Sequence, residues 1–387
     1  MSDLNLNVAM IGPRGCGKTS VLSIMLGEID NFINKLNLDK DVRQNCSPKI
    51  QADSFSVQTL KGVYQDLQSV AIRKVEENGV GVVMSSSFHQ VLPVDLTVCN
   101  ITTTIAFHDF PGAYFVPEFH PQVSEEELTN CKKVISEADV IVLCVDVPSQ
   151  ISYSDKNMAA IYASYTNYIT KLVKESLENL SANNLCKTVL VLPVKSEFEI
   201  LDTKPDPHNG YVQSMNPGNN DILYGKVRNL YKELFACLEK EDFPANAFYV
   251  PVITMGCVKA TGMEYDVDSG RAHVEFGPVV EKQDLHYYQC NSSALLALCL
   301  WSAWELITEK YKENAGFFTK VLNFFRGKLP TEYFKDELFK ECSLIRMVFE
   351  YWERKYDPNS LSEEQKKVYQ ALEQLAQKEP YNGCRLI

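Results

Sequence analysis

Gly12-Pro13-Arg14-Gly15-Cys16-Gly17-Lys18-Thr19-Ser20 is the stretch on which the reading of the fold turns. Its first eight residues match G-x-x-x-x-G-K-[ST], a loop whose backbone N–H groups wrap a β-phosphate. Lys18 would neutralise β and γ oxygens, Thr19 would offer its hydroxyl to Mg²⁺, and a helix starting there would add its positive end. On the order of 0.01–0.02 chance matches are expected in a chain of this length, so the signal is specific. Just upstream, Asn5 to Ile11 becomes wholly apolar before Gly12-Pro13, as a strand entering a tight turn does. A helix is expected over 18–26.

Working outward, strands and helices alternate. Residues 88–98 and 101–108 read as two β runs joined by a turn at Cys99-Asn100, an antiparallel hairpin. Ser124-x-x-Glu127 is a capping box opening a helix that ends near Ala138. Val140-Ile-Val-Leu-Cys-Val145 reads as a buried strand, followed by a helix near 156–180, a strand at 188–192, a helix near 222–240 and a strand at 247–253. The expected fold class is therefore α/β: a three-layer P-loop NTPase sheet, with an antiparallel hairpin strand before the D-x-x-G strand. An apolar helical face over 54–77 suggests a helical insert at about 30–80 within a domain spanning 1–257. Residues 258–387 read as a β-containing connection and a C-terminal helical region.

Composition removes other classes. The 387 residues carry 45% apolar side chains and a formal net charge of −12, enough core for a large domain and the wrong sign for a nucleic-acid coat. Twelve cysteines lie scattered without C-x-x-C pairs or zinc spacing, which fits a reducing, cytoplasmic setting. No run reaches the roughly 20 apolar residues of a membrane span. Phe317 to Phe325 form an aromatic helical face, read as core before membrane or partner surface. Cys384-Arg-Leu-Ile387 formally matches C-a-a-X, but Arg385 and the lack of a polybasic stretch argue against a lipid anchor.

Further candidates follow from position. Asp109-Phe-Pro-Gly112 ends the second hairpin strand, so Asp109 can hold Mg²⁺ through water and the Gly112 N–H can sense a γ-phosphate. Asp146 is the rival acid and lacks the accompanying glycine. Ser87, before the hairpin, is the best switch hydroxyl for the metal, giving Thr19, Asp109 and Ser87 as metal candidates. Lys195 and Glu197 stand where a base-selecting turn belongs; a carboxylate there accepts two hydrogen bonds from the guanine N1–H and 2-amino group, a donor pair that adenine lacks. Thr254 and Met255 are placed to flank the base. Arg14 could contribute charge at the γ-phosphate or obstruct the water, and Cys16 reads as a small filler rather than a redox switch.

This order of motifs resembles the TRAFAC class of P-loop GTPases. Gly12 to Ser20, Pro193-Val-Lys-Ser-Glu197 and Tyr249-Val-Pro-Val-Ile-Thr254 are similar to the bacterial double-GTPase proteins of conflict and defence systems. The resemblance covers about residues 5–260. It implies a Mg²⁺-dependent switch binding GTP and GDP through residues 12–20, Lys195, Glu197, Thr254 and Met255, and working with a protein partner such as a second GTPase. Lys18, Asp109, Gly112 and Arg14 would then carry the chemistry. Ala113 stands where many such proteins place a water-orienting Gln or His, so a GTP-holding module with little turnover is the first alternative, and an ATPase with a variant base pocket the second.

Overall fold

The computed structural model describes residues 4–25, 49–52, 89–98, 101–115, 120, 122–152, 156–178, 187–206, 210–240, 245–254, 256, 258–266, 271–278 and 384–387. The expected helix at 54–77, Ser87, Met255 and the aromatic segment around Phe317 lie outside the described residues.

In chain order the main sheet contains β1 (Leu4–Ile11), β2 (Lys49–Ala52), β3 (Gln90–Val98), β4 (Ile101–Asp109), β5 (Val140–Asp146), β6 (Lys187–Val194), β9 (Ala245–Tyr249) and β12 (Arg385–Leu386). They lie side by side as β12-β9-β6-β5-β1-β4-β3-β2. The five central strands are parallel, whereas β3 runs antiparallel to β4, β2 to β3 and β12 to β9. The central strands are buried on both faces, which is why they read as near-continuous apolar runs; β5 is buried at all seven positions. On one face Ala9, Ile11, Ile141, Leu143, Val191 and Tyr249 meet side chains of four helices. These are α2 (Glu125–Glu137), α3 (Lys156–Glu178), α5 (Pro217–Leu230) and α6 (Lys232–Leu238). Residues 18–25 form the helix after β1, labelled α1, whose buried Val21, Leu22, Ile24 and Met25 stand apart from that cluster.

Between β6 and α5 lie a short helix α4 (Glu197–Ile200) and a small hairpin of β7 (Leu201–Asp206) with β8 (Gly210–Met215). A second hairpin pairs β10 (Val258–Asp266) with β11 (Arg271–Pro278).

Four features depart from the sequence reading. Residues 49–52, within the expected helical insert, form an edge strand of the main sheet. The β7–β8 hairpin was not anticipated, although Asn209-Gly210 is a turn signal. The expected helix near 222–240 begins at Pro217, with Asn216 as N-cap and Pro217 at N1, and breaks at Tyr231. Arg385–Leu386 return to the first sheet, across the expected boundary at 257, and Cys384 is buried there. β9 ends at Tyr249, yet ladder-like bonds continue through Val250 and Val252 N–H groups to Val191 and Pro193 carbonyls.

The capping box of α2 is present in both directions. The Ser124 hydroxyl accepts from the Glu127 N–H, and the Glu127 carboxylate accepts from the Ser124 N–H (2.8 Å). Tyr114 also donates to Glu127 Oε1 (2.8 Å). The Ser124 backbone and hydroxyl, then the Tyr114 hydroxyl, hold the Glu127 carboxyl below its ordinary value of 4.5. Ser124→Ala should cost about 1 kcal/mol in urea unfolding. Because the folded pKa is depressed, Glu127 contributes stability above the ordinary glutamate range and loses it as pH falls through the folded value. The stability gap between wild type and Glu127→Gln should therefore close on acidification below pH 4.5.

Candidate functional site

β1 and β4 pair in parallel with Met10 opposite Asp109, so the loop leaving β1 and the acid ending β4 emerge side by side. The loop folds back on itself: Lys18 Nζ donates to the carbonyls of Gly12 (3.0 Å) and Pro13 (3.2 Å) and is 5% exposed. Gly12 has φ 153°, and a Cβ there would lie 2.6 Å from the Cys144 carbonyl oxygen. Only glycine fits that crossing over β5. Cys16 is fully buried beneath the loop against Cys144. Burial raises its thiol pKa, but the Cys144 hydrogen bond and the Lys18 charge bring it net below the ordinary value.

Thr19 Oγ1 donates to Asp109 Oδ2 at 2.6 Å, and Asp109 is fully buried. Asp146 is engaged elsewhere: it accepts from Ser149 Oγ (2.7 Å) and Lys195 Nζ (3.1 Å). The acid that meets the Thr19 hydroxyl is thus Asp109. Among the described residues no cluster of three or more His, Cys, Asp or Glu could hold a metal alone. The Thr19 hydroxyl and Asp109 carboxylate are hard oxygen donors beside a phosphate-type loop, the set that suits Mg²⁺ sharing its remaining ligands with phosphate and water.

The Asp109–Gly112 turn lies directly on the loop. A Cβ on Gly112 would sit 2.1 Å from the Arg14 nitrogen and 2.5 Å from the Pro13 carbonyl carbon. Tyr165, fully buried on α3, bridges the two backbones: its hydroxyl accepts from the Arg14 N–H (3.4 Å) and donates to the Gly112 carbonyl (3.4 Å). Sequence reasoning missed Tyr165, because its helical spacing marks it only as core. Arg14 and Ser20 are half-buried. His108 is half-buried, stacks with His89 and Phe110 and hydrogen-bonds His89 (3.1 Å). Burial first, then His89, pushes its pKa down to about 4.

On the other side of the loop, Lys195 adopts φ 56°, unusual for a residue with a Cβ. Its ammonium reaches Gly15 O (2.9 Å) as well as Asp146, so it braces the loop, a role for which Val194 has no polar side chain. Ser196 ties its own turn to β6 and the 250–254 segment through Pro193 O (2.7 Å) and Val252 O (3.1 Å). Glu197 is 5% exposed; its Oε1 accepts from Thr254 Oγ1 (3.0 Å) and its Oε2 from the Thr254 N–H (3.3 Å). The Thr254 N–H, expected to face a base, is spent on orienting Glu197. Both oxygens of the buried acid are thus engaged by Thr254.

The architecture is the three-layer P-loop NTPase fold. No family model and no curated protein sequence matches the chain. Among solved structures, 18 chains match. One is the S. cerevisiae Ski7 GTPase-like domain bound to GDP and inorganic phosphate, with 18% identity and a TM-score of 0.31 over 64% of this chain. Another is the same domain bound to GTP, with 17% identity and a TM-score of 0.30. The match spans less than half of those chains, 43% and 42%. No helix among the described residues is long and apolar enough to cross a membrane.

Gly112→Ala cannot keep the turn on the loop, since the clash is with backbone. It should lower stability by about 1–3 kcal/mol and speed amide exchange at 112–115, read by mass spectrometry.

Proposed function

We infer that this chain binds a guanine nucleoside triphosphate with Mg²⁺ at the 12–20 loop and hydrolyses its β–γ bond, the Asp109–Gly112 turn acting as the switch. The observation that carries the base assignment is the buried Glu197 carboxylate, oriented by Thr254 and joined to the loop through Lys195 and Gly15. An acceptor pair at that position complements the adjacent N1–H and 2-amino donors of guanine, a donor pair that adenine lacks.

The chain's own residues divide the work. Backbone N–H groups of Gly15 to Thr19 hold the β-phosphate, Lys18 turns from loop carbonyls to phosphoryl oxygens, and Thr19 with Asp109 would hold Mg²⁺. When bound, Mg²⁺ neutralises charge on the β and γ oxygens. For a γ-phosphate to meet the Gly112 N–H, the turn must lift from Pro13–Arg14, breaking the Tyr165 bridge; its return after phosphate release resets the switch. The half-buried Arg14 adds positive charge at that edge.

Ala113 offers no group to orient the attacking water, and that favours as second reading a protein that holds GTP with little turnover. Chromatography of nucleotide released from freshly purified protein separates the readings: mostly GTP supports slow turnover, mostly GDP supports hydrolysis. The motif resemblance to double-GTPase proteins contributes one more expectation, a protein partner, and the scattered cysteines support a reducing, cytoplasmic setting.

Calorimetric titration with Mg–GTP and Mg–ATP should give heat with GTP alone. Lys18→Ala should weaken binding by about 2–5 kcal/mol. Glu197→Gln should cut the preference for guanine over adenine roughly tenfold or more. Equal affinity of the wild type for both purines would overturn the base assignment.

A further inference from the structure

Asp146 ends β5, the strand beside β1 in the sheet, and has no part in the mechanism above. Its side chain is 5% exposed, and a buried carboxylate persists only with partners. The fold supplies two: Ser149 Oγ donates to Oδ2 (2.7 Å) and Lys195 Nζ to Oδ1 (3.1 Å). The backbone is fixed as well. The Asp146 N–H donates to Gln150 Oε1 (2.9 Å), and Gln150 Nε2 in turn donates to the Tyr231 hydroxyl (3.4 Å). Ser149 and Gln150 belong to a π-helical turn, Val147–Ser152, a rare geometry that gathers at functional sites. The far end of the same turn reaches α4, where Ser152 Oγ donates to Glu199 Oε1 (2.6 Å), two residues past Glu197. One turn thus holds both the acid and the helix that carries Glu197.

Lys195 is the residue that uses this order. Its φ of 56° is a conformation that a side chain with a Cβ keeps only where its surroundings over-determine it. The ammonium has three N–H groups; one goes to Asp146 and one to the Gly15 carbonyl (2.9 Å). The bond to the carboxylate is charged on both sides and is the stronger of the two. With the head pinned there, the carbon stem lies along the loop, its Cε 3.9 Å from where a Cβ on Gly17 would be. Asp146 therefore decides where the ammonium sits, and the ammonium holds Gly15. Val194, one residue earlier, has no polar side chain that could do the same.

We propose that Asp146 is a positioning residue for nucleotide binding: acting through Lys195, it fixes the base side of the 12–20 loop, the bracing part that Val194 cannot take. This rests on the guanine-nucleotide reading above and deepens it. The contribution is pre-organisation. When the acid is lost, the Lys195 head is free to turn to solvent, the left-handed turn into Ser196 loses its anchor, and Gly15 must be ordered by the nucleotide itself, so affinity falls. In the sheet β6 lies on one side of β5 and β1, and β4 on the other. The brace and the Asp109–Gly112 turn therefore stand on opposite sides of the loop, and GDP and GTP lose alike.

Calorimetric binding of GDP and of a slowly hydrolysed GTP analogue to the full chain tests this. Asp146→Ala should weaken both about 10-fold or more, leaving the ratio of the two Kd values within about twofold of the wild type. Lys195→Met, which keeps the stem and removes the ammonium, should weaken both by a similar factor. Adding Asp146→Ala to it should then change neither Kd by more than about twofold, because the acid acts through that lysine. Asp146→Asn keeps the shape without the charge and should lose affinity for both nucleotides by a smaller factor. All these losses should be the same with Mg²⁺ and with a chelator. Wild-type affinity in folded Asp146→Ala, or in Asp146→Asn should the alanine variant not fold, would overturn the proposal. So would losses that add in the double variant, which would make Asp146 a support of the fold, and a loss confined to Mg²⁺, which would make it a metal ligand. If the wild type binds no guanine nucleotide, the reading beneath fails and the proposal falls with it.

Discussion

The parallel pairing of β1 with β4 is the constraint from which the working end of the molecule follows. With Met10 beside Asp109, the chain leaves one strand as the phosphate-type loop and the other as a buried acid, and the Thr19 hydroxyl closes the gap at 2.6 Å. A fully buried carboxylate needs compensating partners, so the acid fixes the first turn of α1 against the end of β4. From that anchor the next turn has little freedom, and Gly112 comes to rest on Pro13 and Arg14 at a distance that no side chain allows. Tyr165 adds a hydroxyl that neither backbone supplies. Sheet register, one hydrogen bond and one missing Cβ together set the geometry.

The far side of the loop is built from different material. Lys195 takes a left-handed backbone conformation that costs of order 1–2 kcal/mol, offset by its bonds to Gly15 and Asp146. Glu197 follows two residues later, held by Thr254. A lysine in this position links the Glu197 turn to the 12–20 loop by a single side chain, and Asp146, read from sequence as a rejected metal ligand, becomes the counter-charge of that link.

Much of this was legible before any coordinates. The loop motif, the buried strands at β1, β5 and β6, the β3–β4 hairpin and the Ser124–Glu127 box are local patterns whose physics is local too: period, glycine placement and capping chemistry. What could not be read was settled by partners distant in sequence. β2 and β12 are short edge pieces whose strand character exists only against β3 and β9. The first turns of α5 were hidden because Gly218, Asn219 and Asn220 are poor helix formers, though the Asn216-Pro217 start was in plain view. Tyr165 looks like any core tyrosine until α3 is laid across the loop.

β12 is two residues long and is pinned by few groups: its ladder with Tyr249 and Phe248, the Arg385 guanidinium on Asp221 and over the Tyr224 ring, and the Ile387 N–H on Ala247. So short an edge strand frays at a low free energy. Its neighbour β9 runs straight on into Thr254, the residue that orients Glu197. Warming would thus loosen the corner where Thr254 holds Glu197 before it reaches the 12–20 loop, which is walled in by the central strands.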